Sequence, residues 1–177
     1  MDRFEVTLYP SLAACLPERR PYRQARIAIN GQPLIELVRV AEEPWARAEY
    51  QERLPEFDNP EEFRFEPGDY HYLTAARLLL PSRELLDRPR DPGFVLGPDN
   101  PCRGKATVLG CTCGIVECWF VQVRVQLLAE VVIWSDFGQF HRPLWQYDLG
   151  PFTFDRRQYE AQLAQDAEPA AAPATAT

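Results

Sequence analysis

The chain reads as an α+β domain with a mostly antiparallel sheet and two or three short helices. Three observations predict this class. Val121, Val123, Val125 and Leu127 alternate with Gln122, Arg124 and Gln126, the period of a half-buried strand. Asn30-Gly31 separates two β-rich runs, Ile27 to Ile29 and Leu34 to Val40, and this dipeptide suits a tight hairpin turn. Asp155 stands before an apolar stripe of Tyr159 and Leu163, which marks a capped final helix.

The other elements are placed in chain order. Phe4 to Tyr9 alternate as a short strand that Pro10 ends. Pro44 suits a first helical turn, and Trp45, Ala48 and Leu54 recur at near-helical spacing until Pro55. From Pro55 to Asp69 the chain is acidic and rich in turn formers, an irregular surface segment with Phe57, Phe63 and Phe65 as apolar anchors. A strand is predicted through Tyr70 to Leu73. Ser82 caps a two-turn helix over Arg83 to Leu86, which Pro89 and Pro92 limit, and Arg88 to Pro101 is loop. The β-prone run Val131 to Trp134 forms a second strand antiparallel to the one at Val121, and Phe152 and Phe154 alternate before the final helix. Residues 1–165 make one globular domain, and 166–177 form a disordered Ala/Pro/Thr tail, too poor in large apolar side chains to fold.

The 177 residues carry a formal net charge of −7. That sign opposes phosphate backbones, so nucleic acid is not an expected partner. Between Glu42 and Asp69 ten acids face only Arg47, Arg53 and Arg64, and the rest of the chain is balanced. This stretch reads as a solvated face or as a docking surface for a basic partner. The apolar runs are far shorter than the roughly 20 residues that cross a bilayer. With Asp2, Glu5, Pro10, Pro17 and Pro21 at the start, nothing resembles an export signal, and a cytoplasmic location is expected.

Cys102, Cys111, Cys113 and Cys118 lie within seventeen residues, spaced Cys-x8-Cys-x-Cys-x4-Cys. Four thiolates can enclose a tetrahedral zinc, and Gly110 and Gly114 let the backbone turn closely around it. Common structural sites use two Cys-x2-4-Cys pairs, so the single residue between Cys111 and Cys113 requires a turn at Thr112. The same thiols can instead pack as small hydrophobes, or Cys111 or Cys113 can act as a nucleophile with His141 as its base. Five cysteines, an odd number, argue against a secreted disulfide framework, and Cys15 reads as an inert thiol.

Eight aromatic residues from Trp134 to Tyr159 crowd into twenty-six positions. They serve either as core or as a partner-binding patch, for which Trp134, Phe137, Phe140, His141 and Trp145 are the candidates. No nucleophile elbow, phosphate loop, dinucleotide fingerprint or His-Glu-x-x-His helix is present.

The segment Leu109-Gly110-Cys111-Thr112-Cys113-Gly114 through Cys118-Trp119, and Trp134 to Phe137 followed by Leu149-Gly150-Pro151-Phe152 with Phe154-Asp155 and Gln158-Tyr159-Glu160 after it, resembles a family of uncharacterised bacterial proteins. The resemblance covers Ala106 to Leu163. It implies a bacterial origin and carries over no cofactor or catalytic residue. The expected function is a small protein-interaction module, of which bacterial immunity proteins are one example, binding through the acidic or aromatic surface. The alternatives are a zinc-stabilised domain and a thiol-dependent enzyme.

Overall fold

Asn30 and Gly31 hold φ of 53° and 78°, the left-handed pair that a two-residue turn between twisted antiparallel strands requires. In this computed structural model, which describes residues 1–10, 23–59, 67–90 and 100–165, that turn joins strand β2 (Arg23–Ile29) to the two-residue β3 (Gln32–Pro33). Strand β1 (Phe4–Pro10) pairs antiparallel along the other side of β2. A second sheet runs β4 (Tyr70–Tyr72), β5 (Ala106–Cys111), β6 (Val121–Leu127), β7 (Val131–Gln139) and β8 (Phe152–Asp155), each antiparallel to its neighbour. With helices α1 (Leu34–Arg53), α2 (Ala75–Leu78) and α3 (Arg156–Leu163), the described residues form the predicted α+β fold.

The hairpin stops after β3, and here the sequence reading is corrected. Leu34 to Val40 is the start of a 20-residue helix, so α1 is not short. Leu34, Val38, Ala41, Glu42 and Ala46 are buried along it, the i, i+4, i+7 stripe of a helix laid on a core. A strand would send Val38 and Val40 to one face; Val38 is buried and Val40 is 75% exposed. Pro44 lies inside this helix instead of opening it.

Arg83 to Leu86 is a second correction. The segment makes one turn, closed by the Leu86 amide on the Arg83 carbonyl at 3.0 Å. Consecutive Glu84, Leu85 and Leu86 are all buried, which a two-turn surface helix cannot achieve. Glu84 is drawn inward by the Arg77 guanidinium at 3.1 Å. Cys15, Phe63, Phe65, residues 91–99 and the tail 166–177 lie outside the described residues.

One core joins both sheets. Phe4 of β1 meets Trp134 of β7 and Tyr159 of α3 at ring distances of 5.3 and 4.4 Å. The Trp134 indole donates to the Tyr159 hydroxyl at 3.1 Å, and that hydroxyl donates to the Leu85 carbonyl at 2.7 Å, so both polar handles are satisfied in the interior. The Asp155 carboxylate accepts the Gln158 amide at 2.8 Å, the cap the sequence predicts.

Strand β1 is a sheet edge, and glutamines of α3 and of the residues just after it cover it. The Val6 amide donates to Gln162 Oε1 at 2.9 Å, and Gln165 Nε2 donates to the Val6 carbonyl at 3.0 Å. Covering an edge in this way blocks pairing with a second chain. Gln162→Ala leaves the Val6 amide unpaired and is expected to cost about 1–2 kcal/mol, read from the midpoint of urea unfolding; an unchanged midpoint would remove this role. Among the described residues no helix is long and apolar enough to cross a membrane.

Candidate metal centre

Strand β5 is buried over five of its six residues and delivers Cys111 at its end. Two glycines then shape the turns beyond it. Gly114 holds φ +88°, and its amide returns to the Cys111 carbonyl at 3.1 Å, so residues 111–114 form the turn at Thr112 that the Cys-x-Cys spacing demanded. The Cys113 amide points at Cys111 Sγ, 3.4 Å away. A Cβ on Gly110 would stand 3.1 Å from Val116 Cγ1 and 3.3 Å from Val116 Cα. Its absence lets the 3-10 turn Val116–Cys118 lie against β5 and brings Cys118 back to the turn.

As a result Cys111, Cys113 and Cys118 hold their sulfurs within 4.8 Å of one another. Neighbours on both sides of Cys118 are fixed. The Glu117 carboxylate meets Arg77 at 3.4 Å, and its carbonyl meets His141 Nε2 at 3.0 Å. Trp119 stacks on His141 with an interplanar angle of 7° and carries the Arg142 guanidinium 5.0 Å from its ring centre. Thr112 Oγ1 donates to Asp69 Oδ2 at 3.3 Å, which ties the turn to the start of β4.

The thiols differ in acidity. Burial pushes Cys111 up to about 11. Cys113 is held below the usual thiol range by hydrogen bonding to the Ile115 backbone and to Cys111. Soft sulfur donors in this arrangement suit zinc or another thiophilic ion, which would draw off all three protons on binding. The donor set therefore fits the metal that the spacing suggested, with three thiols brought together.

Cys102 is not brought to this group. It is half-buried near Lys105 and Asp136, and burial raises its thiol above the usual range. Sequence reasoning missed the ion pair beside it. Lys105, almost fully buried, meets Asp136 Oδ1 at 3.0 Å, and Asp136 carries φ 55° where β7 bulges against β6. A lone lysine in an arginine-rich chain was the one signal of it.

The aromatic candidates separate. Trp134, Phe137 and Trp145 are buried, so the set is not one exposed patch. Phe140 is half-buried and stacks on Phe120 at 4.7 Å, and His141 is exposed. Trp145 reaches the wall of a groove of about 600 Å³ with Trp45, Glu49, Glu52, Arg142 and Leu144. The acids of α1 do not form a bare negative face either. Glu36, Glu43 and Glu49 pair with Arg39, Arg47 and Arg53, each within one turn. Glu42 lies in the interior, where the Tyr70 and Tyr147 hydroxyls and the Gly68 amide all donate to its carboxylate. His141 contacts a backbone carbonyl and three aromatic rings, those of Trp119, Phe120 and Phe140, and is not among the clustered thiol donors.

No protein family, curated protein or solved structure matches this chain.

Proposed function

We propose that this chain binds one thiophilic metal ion, zinc foremost, through the thiolates of Cys111, Cys113 and Cys118. The observation that carries the reading is the convergence of three sulfurs within 4.8 Å on two short turns. Each turn depends on a glycine, Gly114 for its left-handed backbone and Gly110 for close approach. Zinc favours three or four sulfur and nitrogen donors in a tetrahedron, and thiolates must form before it binds. A reducing compartment such as the cytoplasm keeps such thiols free for metal.

Competition with a chromophoric zinc chelator tests the reading. Cys113→Ser and Cys118→Ser are expected to weaken zinc binding by on the order of a hundredfold or more, and Cys102→Ser to leave it unchanged. Zinc takes thiolates, and burial pushes the Cys111 thiol up to about 11, so binding releases protons and apparent affinity rises with pH and falls in acid. Equal affinity in all three variants would sink the proposal.

A second reading, binding of a protein partner, is supported by Leu144, which stands 83% exposed at the rim of the groove of Trp45, Glu52 and Trp145. An apolar knob beside a carboxylate suits a protein segment that combines an apolar and a basic side chain. A photo-crosslinker at position 144 should capture one partner, and Glu52→Lys should abolish the capture. Capture indifferent to Glu52→Lys would count against this surface.

A further inference from the structure

We infer that a cavity along the open edge of β7 binds a small carboxylate with a hydroxyl on the adjacent carbon, a 2-hydroxy acid, through Lys105 and Gln139. The site is separate from the three clustered thiols and does not depend on the proposed metal.

Strand β8 pairs with β7 only as far as Trp134. Beyond that point Asp136, Phe137, Gly138 and Gln139, consecutive residues of β7, all line one cavity of about 210 Å³. Successive side chains of a strand point to opposite faces, so a space that touches all four lies along the edge of the strand instead of over one face. Lys105, which directly precedes β5, and Trp145 line the same space.

Two polar side chains of this lining are buried without the partners that burial calls for. Gln139 is 1% exposed, and neither its Nε2 nor its Oε1 has a hydrogen-bond partner. A buried amide left unpaired is destabilising until a partner meets it. Lys105 is 6% exposed and meets one carboxylate, Asp136 Oδ1 at 3.0 Å. An ammonium carries three donors, so this contact leaves others for a ligand. Asp136 also pairs with Arg124 at 3.3 Å, so two cations share one carboxylate and the cluster holds one positive charge in excess. Gly138 keeps the space beside the ammonium clear, since a Cβ there would have Lys105 Nζ, 3.8 Å away, as its nearest neighbour.

These groups define the ligand. The excess charge calls for an anion, and a carboxylate accepts a charge-assisted hydrogen bond from the ammonium. The Gln139 amide presents a donor and an acceptor side by side. A hydroxyl next to the carboxylate answers both, accepting from Nε2 and donating to Oε1. The volume of about 210 Å³ lies below the roughly 300 Å³ at which pockets for drug-sized ligands begin, and suits a molecule of few heavy atoms with its carbon end against Phe137 and Trp145. Binding is non-covalent and moves no electron.

Calorimetric titration of the full reduced chain with racemic lactate tests the assignment, with propionate, which lacks the hydroxyl, and lactamide, which lacks the charge, for comparison. Lactate is expected to bind, and each comparison compound to bind at least about tenfold more weakly. Gln139→Leu should weaken lactate binding by on the order of tenfold or more. Because it removes an unpaired buried amide, the same variant should raise the urea midpoint of the ligand-free protein, which loss of a structural hydrogen bond would lower. Lys105→Met should erase the preference for lactate over lactamide. Cys118→Ser should bind lactate as wild type does, which separates this site from the metal centre. Absence of lactate binding to wild type, equal binding of all three compounds, or undiminished binding to Gln139→Leu would overturn the proposal. A lowered midpoint in Gln139→Leu would give the amide a structural role and overturn it as well.

Discussion

Glu42→Ala is expected to destabilise the fold by about 3 kcal/mol or more, because it strands three donors that each cost at least about 1 kcal/mol when left unpaired. Those donors are the Tyr70 hydroxyl, the Tyr147 hydroxyl and the Gly68 amide. Through them one carboxylate fastens α1 to β4 and to the segment that leads into β8. Glu42→Gln keeps the volume and one acceptor oxygen and should cost less.

The same group sets a pH dependence. Burial raises the Glu42 carboxyl above its ordinary 4.5, against the lowering effect of the hydrogen bonds from Tyr147, Tyr70 and Gly68. A carboxyl whose folded value lies above its unfolded one contributes stability that is complete below about 4.5 and is lost as pH rises through the folded value. Wild type should therefore lose stability relative to Glu42→Gln as pH increases from 4.5. Guanidinium unfolding of both proteins across that range checks it. A gap that stays constant with pH would show that Glu42 does not titrate above its ordinary range.

Trp134→Ala carries the second large effect, about 3–5 kcal/mol, the range for truncating a large aromatic in a packed core. Trp134 touches Phe4, Phe137, Phe154 and Tyr159 and donates to the Tyr159 hydroxyl. Trp134→Phe keeps most of the contact, loses the donor and should cost about 1–2 kcal/mol. Both values come from thermal or denaturant unfolding. A near-neutral Trp134→Ala would mean that this ring is not the centre of the core.

The strands were legible where one rule governed them. Val121 to Leu127 was legible as a strand from its alternation, although Gln122 on its polar side is also fully buried, and Asn30-Gly31 supplies the left-handed pair of a tight turn. Helix α1 was misread at its start because Leu34 to Val40 is β-prone residue by residue. Its true period becomes visible only when Glu42 is counted as an inward position, and no sequence rule puts a carboxylate there. That placement depends on Tyr70 and Tyr147, 28 and 105 residues away. The Arg83 segment failed for a related reason, since Glu84 is buried by its pairing with Arg77.

The cysteine centre was half legible. Spacing and flanking glycines identified Cys111, Cys113 and Cys118 and the turn they need. The same spacing drew in Cys102, which lies nine residues before Cys111 at the far end of a strand that buries five residues in between. The aromatic run from Trp134 to Tyr159 was legible as a cluster, but a sequence does not say which faces turn inward at a bulge such as that at Asp136.

The most direct test of the metal centre is the mass of the intact native protein, purified reduced and without a metal-binding tag. About one zinc per chain is expected at neutral pH, absent from Cys118→Ser and retained by Cys102→Ser. A wild-type mass that shows no zinc after equilibration with excess zinc and removal of loosely held ion would contradict it.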